Sequence, residues 1–296
     1  MVAATTTITV GERDIALTSQ HKLMFPADGI TKGELVDYYR EVAAVMLPHV
    51  SDRPLTLQAY PSGIAGIKYY QKQIGERFPE WIARTTMISK DEGETTYVLA
   101  NEAATLVYLA NQNCITFHVC SAKPPRVDRP DLLILDLDPS DGDFEKVREG
   151  ALALRPMLTE LGLVPYVKTS GSRGLHVVAP IIARDDHDAV RHVAKAIAER
   201  LVALAPEHFT VEMTKKRRGD KVFVDYLRNG SAQTVAAPYT VRGLPTAPVA
   251  TPLLWDELDD PALHARSYTL RTVRERLAKL GDPWRDMMRD ARALED

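Results

Sequence analysis

Leu132-Leu-Ile-Leu-Asp-Leu-Asp-Pro139 is the stretch whose reading decides the fold. Four apolar residues and then two carboxylates separated by a leucine predict a buried strand stopped by Pro139. Residues two apart in a strand share a face, so Asp136 and Asp138 project together while Leu137 turns to the core. Beyond it, Asp143 is placed to cap a helix whose apolar stripe is Val147, Ala151, Leu154, Leu158 and Leu161, with Pro156 predicting a kink or an early break. Residues 163–169 and 175–182 read as two strands joined by the turn Ser170-Gly-Ser-Arg-Gly174. A helix carrying Val190, Val193, Ile197, Leu201 and Leu204 on one face follows, and residues 222–226 form a last strand. The order β-α-β-β-α-β predicts an α+β core of the split βαβ kind, with antiparallel neighbours in one sheet and both helices on a single face.

Working outward, the first hundred residues read as mixed α and β. Ile8 and Val10 alternate with threonines like a short edge strand, and Gly11 suggests a turn. Thr31-Lys-Gly-Glu34 is a capping-box pattern, after which Leu35, Tyr38, Tyr39, Val42, Val45 and Met46 recur at helical spacing until Pro48. Residues 54–60 read as a strand and 101–111 as a second helix. The Pro-rich, charged residues 121–131 separate this part from the more regular second part; short flanking apolar segments favour a loop inside one compact unit.

Composition narrows the class. The chain has 296 residues, 45% of them hydrophobic and 26% charged, enough for a sizeable core. Lys plus Arg is 37 against 40 Asp plus Glu, a formal net charge of -3, so a nucleic-acid partner requires local basic patches. Cys114 and Cys120 are too few for a disulfide framework and read as buried, unreactive thiols in a reducing cytoplasm. The N-terminus lacks a signal-peptide pattern and no long apolar run is present, which argues against secretion and a membrane span.

Three features carry chemistry. Asp136 and Asp138 share a face, and Asp225 ends a second apolar run, so pairing of the two strands would gather three hard oxygen donors suited to Mg²⁺ or Mn²⁺. A lone strand-end aspartate would more often cap a turn, but two on one face repel unless neutralised. Ser170-Gly-Ser-Arg-Gly-Leu-His176 supplies backbone approach, hydroxyls, a guanidinium and an imidazole, a set able to wrap phosphate oxygens, and it lacks the helix opening of a Walker loop. Lys215-Lys-Arg-Arg218, with Lys221, is the densest basic run and either a solvated loop or a phosphate track. Lys22 and Lys32 flank the first long helix, where a terminal phosphate could meet the helix N-terminus. Tyr69 and Tyr70, beside Lys68 and Lys72, could stack on bases, or one of them could be core. Haloacid-dehalogenase-like phosphatases also end a strand in Asp-x-Asp, but there the motif opens a doubly wound parallel sheet, whereas here a hairpin follows.

These motifs, together with Ala237-Pro-Tyr-Thr-Val-Arg242, resemble the polymerase domain of bacterial ligase D, the end-joining member of the archaeo-eukaryotic primase superfamily. The resemblance covers nearly the whole length and looks like a stand-alone version. It implies a primase-polymerase fold over residues 1–296, with an N-terminal mixed α/β part (1–120) packed with an RRM-like catalytic core (131–245), then a C-terminal extended segment and helix (246–296). It implies that Asp136, Asp138 and Asp225 are catalytic metal ligands for two Mn²⁺ or Mg²⁺ ions. Ser170, Arg173 and His176 would hold the triphosphate, with His118 and Arg242 lining the site. Lys22 and Lys32 would recognise a 5′-phosphate, Tyr69 and Tyr70 would pack on the template, and Arg218 would position the end. The implied activity is template-directed addition of dNTP or rNTP to 3′-hydroxyls at DNA ends and short gaps. The partners implied are 5′-phosphorylated DNA, Ku and a separate ligase, without a membrane. Two departures stand out: Ser19 replaces a frequent Asn, and Gln58-Ala-Tyr-Pro61 replaces a usually basic stretch. The alternative from another class is a non-catalytic module that bridges DNA ends or scaffolds repair, for which three clustered carboxylates beside a phosphate backbone would serve no purpose.

Overall fold

In the computed structural model, residues 6–89 and 93–294 are described. In chain order the elements are β1 (Thr6–Val10), β2 (Arg13–Leu17), β3 (Leu23–Phe25), β4 (Ile30–Thr31), α1 (Lys32–Val50), β5 (Pro54–Ala59), β6 (Tyr69–Gln71), β7 (Arg84–Ser89), β8 (Gly93–Leu99), α2 (Ala103–Asn111) and β9 (Cys114–Cys120). Then come β10 (Leu132–Pro139), α3 (Phe144–Glu160), β11 (Tyr166–Thr169), β12 (Leu175–Pro180), α4 (His187–Leu204), β13 (Phe209–Thr210), β14 (Val222–Asp225), β15 (Thr234–Ala236), β16 (Pro252–Leu253) and α5 (Val273–Leu280). The chain divides into two compact units. The first comprises residues 1–119, 236–249 and 268–279; the second comprises 120–235, 250–267 and 280–296. The first crossing falls at the edge of the Pro-rich stretch, and the last fifty residues are shared between both units.

Within the first unit, β1 and β2 form the expected edge hairpin, and a sheet runs in the order β9-β5-β8-β7 with β6 added beside β5. Thr31 caps α1 through the full capping box: its hydroxyl accepts from the Glu34 amide, and the Glu34 carboxylate returns to the Thr31 amide. The helix continues through Pro48 to Val50, beyond the expected stop, because proline in the last turn forfeits only one hydrogen bond of the ladder. Its buried face presents Tyr38 and Tyr39, whose hydroxyls donate to the carbonyls of Tyr239 (2.7 Å) and Ile115 (2.6 Å), so each ring adds apolar area and leaves no polar atom stranded.

In the second unit, the sheet order is β13-β14-β10-β12-β11-β16, and β14, β10, β12 and β11 pair antiparallel in sequence. Helices α3 and α4 touch each other and both lie against β10, so they share one face of the sheet. Asp143 and Asp186 cap them by accepting from Glu145 and Ala189 amides at 2.9 Å. Pro156 is carried inside α3 without a break. Strand β11 starts at Tyr166, three residues later than read, and β13 joins the sheet parallel to β14, which no sequence pattern announced. Buried Asn229 ties the carboxylate strand down: its amide accepts from the Ile134 N–H (2.8 Å) and donates to the Ile134 carbonyl (2.7 Å). Among the described residues, no helix is long and apolar enough to cross a membrane.

Candidate active site

Register places the site. Asp136 on the central strand β10 lies opposite Asp225 of β14 on one side and His176 of β12 on the other, and His176 in turn lies opposite Lys168 of β11. Directly opposed residues share a face, so Asp225, Asp136, His176 and Lys168 form one row across four strands, with Asp138 two residues along. Leu137, between the two aspartates, is fully buried as read.

Charge decides how the row is held. Arg228 reaches both Asp225 (3.1 Å) and Asp136 (3.5 Å), and Arg173 donates to Asp138 at 2.8 Å. His176 Nε2 stands 3.5 Å from Asp136. Burial pushes the Asp136 carboxyl up to about 6; Arg228 opposes this, while Asp225 and Asp138 add to it. The residues fit a divalent cation by donor chemistry: three hard carboxylates crowd one face, and their mutual repulsion raises Asp136. A preformed cage is nevertheless not found among the described residues. Asp138 is drawn to Arg173, and Arg228 lies against the other two, because crowded carboxylates take the nearest guanidinium.

The Ser170–His176 turn corrects one expectation. Its amides are not all aimed outward: Ser170 Oγ accepts from the Ser172 (3.2 Å) and Gly174 (3.1 Å) amides, closing the turn on itself. Gly171 takes a left-handed φ of 65°. Gly174 is needed for close packing on protein: a Cβ there would lie 1.6 Å from the Leu137 carbonyl oxygen. The turn therefore abuts the strand that carries both aspartates.

Arg218 is also turned inward. Its guanidinium lies 3.7 Å from the Phe223 ring centroid and donates to the Glu212 (2.8 Å) and Met213 (2.9 Å) carbonyls, so it folds the loop. Lys215, Lys216 and Arg217 are the exposed members of the run.

The other residues expected to bind nucleotide or DNA lie in the first unit. Lys22 donates to Asn113 Oδ1 (2.9 Å) and to the Pro61 carbonyl, and Lys32 donates to Thr18 Oγ1 (3.0 Å). Burial, and then Lys22, push the Lys32 ammonium down to about 8. The α1 N-terminus is not open to a phosphate as read, because the Lys32, Gly33 and Glu34 amides already donate to Lys22 O, Gln20 O and Thr31 Oγ1. The two ammonium groups are what remains there for an anion. Ser19 opens this loop with a φ of 52°, a conformation that asparagine tolerates better. Tyr69 and Tyr70 are both exposed, at 53% and 60%, so neither is core. Tyr70 stacks on His118 of β9 (12° between planes), and the Lys68 ammonium lies 5.7 Å from the Tyr70 ring centroid. Arg242 donates its amide to the Pro248 carbonyl. Cys114 is buried and its thiol is pushed up to about 12 by desolvation, as an inert core cysteine should be.

Two participants escaped sequence reasoning. Lys168 is 1% exposed and electrostatically favours ionised Asp136; a lysine inside the apolar run Tyr-Val-Lys-Thr was the available signal. Arg228 follows Asp225 by three residues, a spacing informative only once the strand is known to end in a tight 3₁₀ turn.

Comparison with known proteins supplies an independent line. A family model described as "LigD, primase-polymerase domain" matches residues 31–284. The multifunctional non-homologous end joining DNA repair protein LigD of Mycobacterium tuberculosis is 37% identical over 280 residues, 92% of this chain and 36% of that protein. LigD of Pseudomonas aeruginosa is 32% identical over 276 residues, and the bifunctional LigD of Bacillus subtilis is 30% identical over 278. This chain thus spans about a third to under half the length of these curated relatives. A solved structure, the polymerase domain of Mycobacterium tuberculosis ligase D in complex with DNA, superposes with a TM-score of 0.87 at 36% identity, covering 94% of this chain and 99% of that one.

Proposed function

The chain belongs to the LigD primase-polymerase family, and from that membership we propose that it is a template-directed nucleotidyltransferase. It adds dNTP or rNTP to 3′-hydroxyls at DNA ends and short gaps, in break repair by end joining. The observation that carries the proposal is the register Asp136↔Asp225 on neighbouring strands with Asp138 on the same face. We take the four-stranded antiparallel core of the second unit as the RRM-like catalytic sheet, and the whole chain as one primase-polymerase domain.

Asp136, Asp138 and Asp225 would hold the divalent ions, Mn²⁺ or Mg²⁺, whose charge would favour the attacking 3′-oxygen and the leaving pyrophosphate. The chain's own side chains do the positioning. Arg228 and Lys168 oppose the effect of burial and favour ionised Asp136, and Leu137 and Asn229 fix the strand beneath it. Arg173, exposed and two-handed, exchanges its Asp138 contact for triphosphate oxygens as substrate enters, beside Ser170 and His176. His118 and Arg242, both in the first unit, are further proposed nucleotide-binding residues. There the Lys22–Lys32 pair receives a 5′-phosphate, and the Tyr69–Tyr70 shelf meets unstacked bases. The basic run at 215–218 tracks the polynucleotide backbone through Lys215, Lys216 and Arg217, with Arg218 shaping the loop. Ku and a separate ligase are the proposed partners in the bacterial cytoplasm.

Primer extension with labelled ribonucleotides and Mn²⁺ tests the proposal. Wild type should extend a gapped duplex, and Asp138→Ala should abolish extension while DNA binding stays largely intact; retained extension would defeat the assignment.

A further inference from the structure

A pocket of about 330 Å³ in the second unit forms where residues of the C-terminal segment meet the Ser170–Gly174 turn. Arg173 and Ser172 line it from the turn, Gly142 and Phe144 from the start of α3, and His264 and Arg266 from the segment. Arg173 already reaches Asp138 at 2.8 Å, whereas the donors from the C-terminal segment have no carboxylate partner among the described residues. Arg266 Nε donates to the Ser172 carbonyl at 2.7 Å, which fixes the guanidinium plane, and no carboxylate pairs with that guanidinium among the described residues. His264 Nδ1 accepts from the Arg266 amide at 3.1 Å, so the ring proton of the neutral imidazole sits on Nε2, which is left as a donor. The acidic neighbours are spent elsewhere: Asp143 caps α3 through the Glu145 amide, and Asp141 pairs with Lys146 at 2.9 Å. Two guanidinium groups and an imidazole N–H therefore face one cavity.

We infer that this pocket is a polyphosphate subsite in which His264 and Arg266, with Arg173, bind a pyrophosphate group. The source is either the tail of a nucleoside triphosphate or the pyrophosphate released from it. Arg173 contacts Asp138 at 2.8 Å while also lining the pocket, so an anion seated there adjoins the carboxylate end of β10. This inference rests on the nucleotidyltransferase proposal for its choice of ligand, and on the pocket's geometry for the existence of a site.

Calorimetric titration of the full chain with inorganic pyrophosphate, with a nonhydrolysable nucleoside triphosphate and with single-stranded oligonucleotide tests it, without divalent ions so that the carboxylates do not contribute. Arg266→Gln and His264→Gln should each weaken pyrophosphate binding about tenfold, the effect of losing one charge-assisted contact, whereas the exposed charge-matched control Arg289→Gln should not. Parallel loss for the triphosphate assigns the subsite to the substrate tail; loss for pyrophosphate alone assigns it to the product. Unchanged pyrophosphate affinity in both variants, or a loss confined to the oligonucleotide, overturns the inference. Primer extension run alongside separates the two levels. Extension by wild type with no affinity change in the variants sinks only the subsite, and pyrophosphate binding through Arg266 without extension sinks only the polymerase assignment.

Discussion

Gly174→Ala joins fold and chemistry in one perturbation. The added Cβ would lie 1.6 Å from the Leu137 carbonyl oxygen and 2.8 Å from its carbon. Ordinary van der Waals contact requires the two backbones to part by about 2 Å. Neither can move alone: Leu137 pairs with Leu175 of β12 on one side and with Val224 of β14 on the other. We therefore expect a loss of about 3 kcal/mol, the upper end of the overpacking range, because the obstacle is main chain on a doubly paired strand. Leu137 stands between Asp136 and Asp138, so both carboxylates shift with it. A displacement near 1 Å at a phosphoryl-transfer site costs about 10²-fold in rate. Urea unfolding followed by fluorescence gives the first quantity. Primer extension at a temperature where the variant remains folded gives the second. Stability within about 0.5 kcal/mol of wild type together with full extension would refute the packing argument.

Other expectations follow from single contacts. Asn229→Leu leaves the buried amide and carbonyl of Ile134 without their partner and should lower unfolding free energy by about 3 kcal/mol; a change below about 1 kcal/mol in urea titration would contradict this. The Lys32 ammonium is lowered to about 8, so preference for a 5′-phosphorylated over an unphosphorylated gap should fall as pH rises through 8, where that cation loses its charge. Its folded-state value lies below the ordinary one, so the same group makes the protein gain stability as pH rises from about 8 towards 10.5. A flat phosphate preference between pH 7 and about 9 would show that Lys32 does not carry it. Double substitution of Lys22 and Lys32 by alanine should remove the preference at any pH, as measured by competition binding.

The core sheet was legible because its strands are short apolar runs stopped by charge, proline or glycine, and because Asp143 and Asp186 announce their helices. The first unit's β7–β8 hairpin and the two-residue strands were not, since their threonine-rich or very short runs have no buried period to read. Among site residues, the carboxylate row followed from strand alternation once pairing was assumed. Lys168 and Arg228 required the register itself, and the inward turn of Arg218 depends on Phe223, which sequence shows only as another apolar strand residue. The glycines of the turn promise close backbone approach, and at Gly174 the approach is to the Leu137 carbonyl, a long-range contact that no local pattern encodes.

The most direct measurement is the extension rate of Asp225→Asn against wild type on a 5′-phosphorylated gapped duplex with Mn²⁺ and ribonucleotides. Asparagine keeps the shape and the neighbouring strands but removes one of the clustered charges. A rate at least about 10³-fold lower, with unfolding free energy and DNA affinity preserved, is the expected result. Extension within about tenfold of wild type would contradict the claim that these three carboxylates perform the transfer.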